Sequence, residues 1–133
     1  VENANNKKIF DNLRDAFPHP YTEQDAMLWI EKNMAENPAT HFAIDVRGKA
    51  IGSIGVTLKA DVYRMNAEIG YWIGEDYWNL GIATEAVQEV TGYTFKTFHV
   101  MRIFACIFAH NAASRRVVEK AGFKLEAVLK NSV

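Results

Sequence analysis

The sequence predicts an α+β fold, a single domain in which a mixed β-sheet is flanked by helices. Three observations predict it. Apolar residues recur at helical spacing in some segments and at every second position in others. The changes from one period to the other fall at residues suited to caps and turns. The chain has 133 residues, enough for one domain and too short for two ordinary ones.

A first helix is expected from Ala4 to Ala16, with Ile9, Leu13 and Ala16 or Phe17 along one stripe. Pro18 and Pro20 end it, because a residue before proline is held out of the helical region. Thr22 then reads as an N-cap, and Asp25 as its partner in a capping box. The helix that follows carries Met27, Ile30 and Met34 on one stripe and ends before Pro38. At His41 the period changes. Phe42, Ile44 and Val46 alternate with other residues, "RGK" signals a turn, and Ile54, Val56 and Leu58 alternate again, as in an antiparallel hairpin.

Asp61 to Asn66 is a polar connection, and Ala67 to Ile73 reads as a third strand. Ala83, Ala86, Val87, Val90 and Thr94 mark a helix that tolerates Gly92, at about 1 kcal/mol relative to Ala. Val100 to Ala109 is nearly all apolar, the pattern of a strand covered on both faces. Asn111 reads as the next N-cap. Gly122 is the C′ residue, which lets Phe123 pack back on Val118. "FKLEAVL" is a final strand candidate.

Composition excludes several classes. The 15 basic residues against 16 acidic ones argue against bulk electrostatic binding to nucleic acid or an anionic membrane. No apolar run approaches the roughly 20 residues that span a bilayer. The start has neither an initiator Met nor a signal-peptide pattern, so the expected location is cytoplasmic. A single cysteine, Cys106, rules out an intrachain disulfide and suits a reducing compartment. Its apolar surroundings predict a buried core thiol. His19, His41, His99 and His110 show no ligand spacing, so no metal is expected.

The stretch "EDYWNLGIATEAV" places Gly81 and Ala83 where a loop becomes a helix. The first amides of a helix lack intrahelical partners and carry the positive end of its dipole, so such a start suits an anion. Small residues let backbone approach a phosphate. Close packing of a helix on a sheet selects small residues too, and spacing alone leaves both readings open.

"EIGYWIGEDYWNLGIATEAV", followed by "NAASRRVVEKAGFKLE", resembles the GNAT N-acetyltransferases. It is most similar to the branch that includes the ribosomal-protein alanine and serine N-terminal acetyltransferases. The family motif Arg/Gln-x-x-Gly-x-Gly/Ala falls on Trp78, Gly81 and Ala83, with Trp in place of Arg or Gln. "PHPYTEQDAMLWI" also resembles the region between that branch's first two helices. The likeness covers roughly residues 17 to 129.

The resemblance implies a GNAT-like, mostly antiparallel sheet with a splayed parallel strand pair, and acetyl-CoA as donor. Pantetheine would pair with the backbone of Tyr71, Trp72 and Ile73, as an added strand does. The neighbouring strand would run from Arg102 to Ala109, and Asn111 at its exit would bond pantetheine. The pyrophosphate would lie on the loop and helix start formed by Trp78, Asn79, Leu80, Gly81, Ile82, Ala83 and Thr84. Arg115, Arg116 and Lys120 would reach the nucleotide end, or simply form a solvated helix face.

Acetyl transfer to an amine needs a base, an oxyanion donor and a proton for the leaving thiolate. The resemblance makes Glu68 the base candidate, against the alternative of a solvated carboxylate at a strand end. The oxyanion donor would be a strand amide near Trp72. Many family members carry a Tyr where this chain has Val118. The branch offers Ser114 instead, against the alternative of an exposed serine at a helix start. His19, Tyr21, Trp29 and Tyr63 are the acceptor-side candidates, although aromatic residues at element edges usually pack.

The implied function is an acetyl-CoA-dependent N-acetyltransferase acting on a primary amine. A protein N-terminal α-amine is the branch-level acceptor and a small-molecule amine the alternative. The rival from another class is a non-catalytic CoA-binding or interaction module. Family domains usually open with a strand before the first helix and close with one after "GFKLEAVL". This chain starts at the helix and stops at "KNSV", so it is expected to represent part of a longer protein. Taken as complete, it would expose sheet edges that admit a homodimer.

Overall fold

A computed structural model describes residues 1–133. Four strands form one sheet in the order β1-β2-β3-β4: β1 is His41–Val46, β2 Lys49–Leu58, β3 Asn66–Ile73 and β4 Arg102–Phe104. The first three are antiparallel and β3 pairs with β4 in parallel. Helix α1 is Lys7–Phe10, α2 Glu23–Met34, α3 Ile82–Thr97 and α4 Ala112–Lys120. The mixed sheet flanked by helices is the expected α+β fold.

Local chemistry sets several of these elements. The β1–β2 turn places Arg47 at φ 52° and Gly48 at φ 81°, the two positive angles that a tight two-residue hairpin turn requires. Thr22 and Asp25 form the reciprocal capping box of α2. At the end of α4, Gly122 takes φ 100°. The Phe123 N–H then donates to the Val118 carbonyl at 3.0 Å, and Gly122 N–H to Glu119 at 3.1 Å, a Schellman closure.

Side chains alternate across the sheet. Ile54, Val56, Ala67, Ile69 and Ile73 pack with Val87 and Val90 of α3 into the core. Tyr71 points the same way. The opposite face carries Gly55, Thr57, Glu68, Gly70 and Trp72, and the chain before β1 crosses it. There Phe17 meets Trp72 edge to face at 5.8 Å, and Arg14 reaches Glu68.

Four expectations are corrected. The first helix does not run from Ala4 to Ala16; a short 3-10 turn at Glu2–Ala4 and the four residues of α1 replace it. The cause is side-chain competition for backbone. Asn5 accepts from the Tyr21 N–H and donates to the Tyr21 carbonyl, both at 2.6 Å. Asn6 caps Lys8, and Asn12 bonds the Lys8 carbonyl.

The strand expected from Val100 to Ala109 contracts to Arg102–Phe104, because β4 finds partners on β3 only at Asn66, Ala67 and Glu68. "FKLEAVL" forms no strand. Phe123 packs against the core, but nothing pairs with the backbone beyond it, and Leu125, Val128 and Leu129 stay exposed. Cys106 is exposed rather than a core thiol, since it lies on the unpaired continuation of β4. The α2 stripe exists, yet Met27, Ile30 and Met34 are all exposed and α2 buries no residue.

Candidate active site

Parallel pairing between β3 and β4 stops at Glu68 and Phe104, so the two segments part beyond that point. This is the expected splay. The Lys59 N–H donates to Asn66 at 2.9 Å, and the Gly74 N–H to Ile51 at 2.8 Å. Antiparallel alternation therefore directs the backbone of Glu68, Gly70 and Trp72 to β2 and turns that of Tyr71 and Ile73 toward the gap. Of the three residues expected to face pantetheine, Trp72 is paired with Ser53. The Ile73 carbonyl is itself taken, by the Trp78 indole N–H at 2.8 Å.

Trp78 thereby ties the following loop to the end of β3 and packs against the core. The loop carries two left-handed residues, Asn79 at φ 59° and Gly81 at φ 81°. Gly81 is the N-cap of α3 and offers no side-chain cap, whereas α2 is capped by Thr22 and α4 by Asn111. The first-turn amides of α3, from Ile82 to Thr84, are thus without helical partners. A Cβ at Gly81 would meet no atom within 4 Å. Packing therefore does not explain this glycine; its positive φ and the open approach to the amides do. Ala83 and Ile82 lie against the core, so for Ala83 packing suffices. Asn79 and Leu80 are exposed.

On the face crossed by the N-terminal segment, Glu68 is the focus. Lys59 Nζ bonds its Oε2 at 2.6 Å, and Arg14 pairs with its Oε1. The carboxylate is only 13% exposed, while the Arg14 side chain is 68% exposed. Oε1 is thus covered chiefly by the exposed arginine head. Cys106 lies beside this cluster; partial desolvation of its sulfur, then the Glu68 charge, push the thiol up, with Arg14 and Lys59 opposing. His110 Nε2 lies 3.3 Å from the Asp11 carbonyl, so residues 11–14 strap this side of the parted strands.

The acceptor-side candidates are dispersed. Tyr21 stacks on Phe17 at 5.0 Å, and through Phe17 lies over Trp72. Trp29 meets the His41 ring at 5.2 Å, and that ring covers Gly55. These two groups flank Gly70, which is exposed and would hold a Cβ with no atom within 4 Å. His19 instead stacks on Phe10 at 4.8 Å. Tyr63 lines a separate depression of about 290 Å³ with Lys59, Asn66, Arg102 and Phe104.

On the other face, Ser114 sits in the first turn of α4 with its N–H held by Asn111 Oδ1 at 3.0 Å. That bond leaves the Asn111 amide NH₂ as a donor. The Ser114 hydroxyl meets that of Tyr71. Glu68 and Ser114 therefore approach the parted strands from opposite faces. Sequence reasoning missed Arg14, Lys59 and Gly70. The first two read as ordinary surface charges; a glycine inside a strand was a signal of close approach. No cluster of three or more His, Cys, Asp or Glu forms a metal site, and no helix is long and apolar enough to cross a membrane.

Residues 4–124 match the family model described as "Acetyltransferase (GNAT) domain". The "Uncharacterized N-acetyltransferase YoaA" of Bacillus subtilis (strain 168) is 41% identical over 80 residues, covering 60% of this chain. The chain spans about half the length of that relative, 45%. The crystal structure of a GNAT-family acetyltransferase from Bacillus anthracis superposes with a TM-score of 0.80 at 28% identity, covering 99% of this chain and 76% of that one. RimJ of Mycobacterium smegmatis, in complex with CoA-disulfide, gives 0.72 at 26% identity, covering 83% and 54%.

Proposed function

Since the chain belongs to the GNAT acetyltransferase family, we propose that it transfers the acetyl group of acetyl-CoA to a primary amine, with a protein N-terminal α-amine as acceptor. One observation carries this: β3 loses its pairing with β4 after Glu68, and the loop tied to its far end at Ile73 leads into an uncapped, sterically open helix start at Gly81. The residues present fit the donor. The amides of Ile82, Ala83 and Thr84 would hold the pyrophosphate through hydrogen bonds and the helix dipole. The gap-facing backbone of Tyr71 and Ile73, with the Asn111 amide, would hold pantetheine, while Trp78 keeps the loop in place. Acetyl-CoA, when bound, supplies an activated thioester.

The chain's own residues do the rest. Glu68 accepts the ammonium proton at Oε1, directly or through one water, once Arg14 moves aside. Lys59 keeps its bond to Oε2 and orients the carboxylate. The N–H of Tyr71 or Ile73, directed into the gap, is the donor available to a developing oxyanion; Trp72's own N–H is directed to β2. Ser114 provides the proton for the departing sulfur. The open strip over Gly70, between Trp72 and the ring of His41, admits the acceptor.

The branch resemblance favours a protein N-terminus; a small-molecule amine is the alternative acceptor. A second reading, donor binding without turnover, draws on the ion pairs that occupy both Glu68 oxygens. Release of free thiol from acetyl-CoA, measured against panels of N-terminal peptides and small amines, separates the three. Turnover with peptides, lost in Glu68→Gln, supports the proposal. Turnover with small amines alone favours the alternative acceptor. Binding of acetyl-CoA with no thiol released by any amine favours the binding module.

A further inference from the structure

The Tyr71 hydroxyl lies 2.6 Å from Ser114 Oγ and 3.2 Å from the Ser114 carbonyl oxygen. With its N–H bonded to Asn111 Oδ1, Ser114 is fixed twice, at its backbone by the cap and at its hydroxyl by the tyrosine. A serine hydroxyl does not ionise in the working range of proteins, whereas a thiol titrates near about 8.5 and a phenol near about 10. Proton transfer from an isolated serine to a thiolate is therefore uphill. The phenol in contact with Ser114 is the acid whose strength comes close. Either oxygen of the pair can donate; when Tyr71 does, the Ser114 proton is free for another acceptor.

We infer that Tyr71 and Ser114 form a two-hydroxyl relay for the proton taken up by the departing CoA sulfur, Tyr71 being a positioning residue that acts through Ser114. The inference rests on the acetyl-CoA reading above. As the carbon–sulfur bond breaks, its electron pair leaves on sulfur. The Ser114 O–H bond breaks while S–H forms, and the Tyr71 proton moves to Ser114 Oγ. Nitrogen sheds two protons, the ammonium proton toward Glu68 and a second to solvent as the amide forms; water returns one to the phenolate, so one proton is released overall. Burial holds the Tyr71 phenol above its ordinary value, with the Ser114 bond pulling it partly back, so the hydroxyl stays protonated through the neutral range. Hydrogen bonds in series also polarise one another, which makes the serine a better donor than it is alone.

The test titrates CoA bound to the wild type, to Tyr71→Phe and to Ser114→Ala, following the ultraviolet absorbance of the thiolate, with kcat and KM measured alongside. Tyr71→Phe keeps the packed ring and loses only the hydroxyl. The bound thiol is expected to titrate at lower pH on the wild type than on either variant. Tyr71→Phe is expected to lower kcat by roughly ten- to a hundredfold, at the low end of general-acid effects, with KM for acetyl-CoA nearly unchanged. The double variant is expected to be no slower than Ser114→Ala, since both act on one path. A bound-thiol titration identical in the wild type and Tyr71→Phe overturns the relay, whatever kcat does, and leaves the acetyl-CoA reading standing. A wild type that binds no CoA overturns both.

Discussion

Gly55 and Gly70 face each other across β2 and β3, yet the space above them differs completely. A Cβ at Gly55 would come within 2.1 Å of the His41 ring, while one at Gly70 would meet nothing within 4 Å. The first glycine is required by packing, and the second leaves a strip open beside Glu68. Gly70→Val is therefore expected to fold normally and bind acetyl-CoA as before, while raising KM for the amine at least about tenfold through steric exclusion of the acceptor. Gly55→Ala is expected to cost about 1–3 kcal/mol, the range for overpacking. Steady-state kinetics and denaturant unfolding check the pair.

Glu68 and Arg14 give a second prediction. Glu68→Gln removes the proposed base and is expected to lower kcat by about a hundredfold or more. Arg14→Ala frees Oε1 and is expected to raise kcat/KM for the amine by up to about fivefold, the kinetic equivalent of an exposed ion pair worth roughly 0.2–1 kcal/mol. Kinetics at subsaturating acceptor report both.

Trp78→Phe keeps a ring in the core but loses the bond to the Ile73 carbonyl. The expected cost is about 1 kcal/mol of stability, a typical hydrogen-bond contribution. Affinity for acetyl-CoA is expected to fall while KM for the amine stays constant, because the loop and not the acceptor strip loses its anchor.

His41 sets a pH dependence of stability. Burial holds its pKa below the ordinary 6.5; Glu36 opposes the shift and Lys32 adds to it. Between the depressed value and 6.5 the unfolded chain binds more protons than the folded one. Stability therefore falls as pH drops from 6.5 through that window, and the contribution is fully lost once His41 is protonated in both states. Urea unfolding at about pH 7.5 and about pH 5.5 should show the loss, and His41→Gln should flatten it.

The legible parts of the fold are those written in adjacent residues. The Thr22–Asp25 box, the Arg47–Gly48 turn and the Gly122 closure each need only a few neighbouring side chains, and each formed as expected. The first helix failed because Asn5 bonds Tyr21, 16 residues away, which helical periodicity does not register. The β4 strand and "FKLEAVL" failed because a strand's length depends on its partner rather than on its own apolar run. Near the site, the change from loop to helix at Gly81 was legible through a local pattern of small residues. Arg14 was not, since the fold brings it to Glu68 across 54 residues. For Gly81 spacing left packing and open approach both standing; the empty space around its Cβ position and its positive φ set packing aside.

The most direct measurement is calorimetric titration of acetyl-CoA into the wild type and Gly81→Ala. The alanine adds one methyl at an open position, with a backbone strain of roughly 1–2 kcal/mol at positive φ. Saturable one-to-one binding by the wild type, weakened about tenfold or more in a variant that keeps its circular dichroism, is the expected result. No binding by the wild type, or equal affinity in a folded variant, would contradict the assignment of the Gly81 helix start to the acetyl-CoA pyrophosphate.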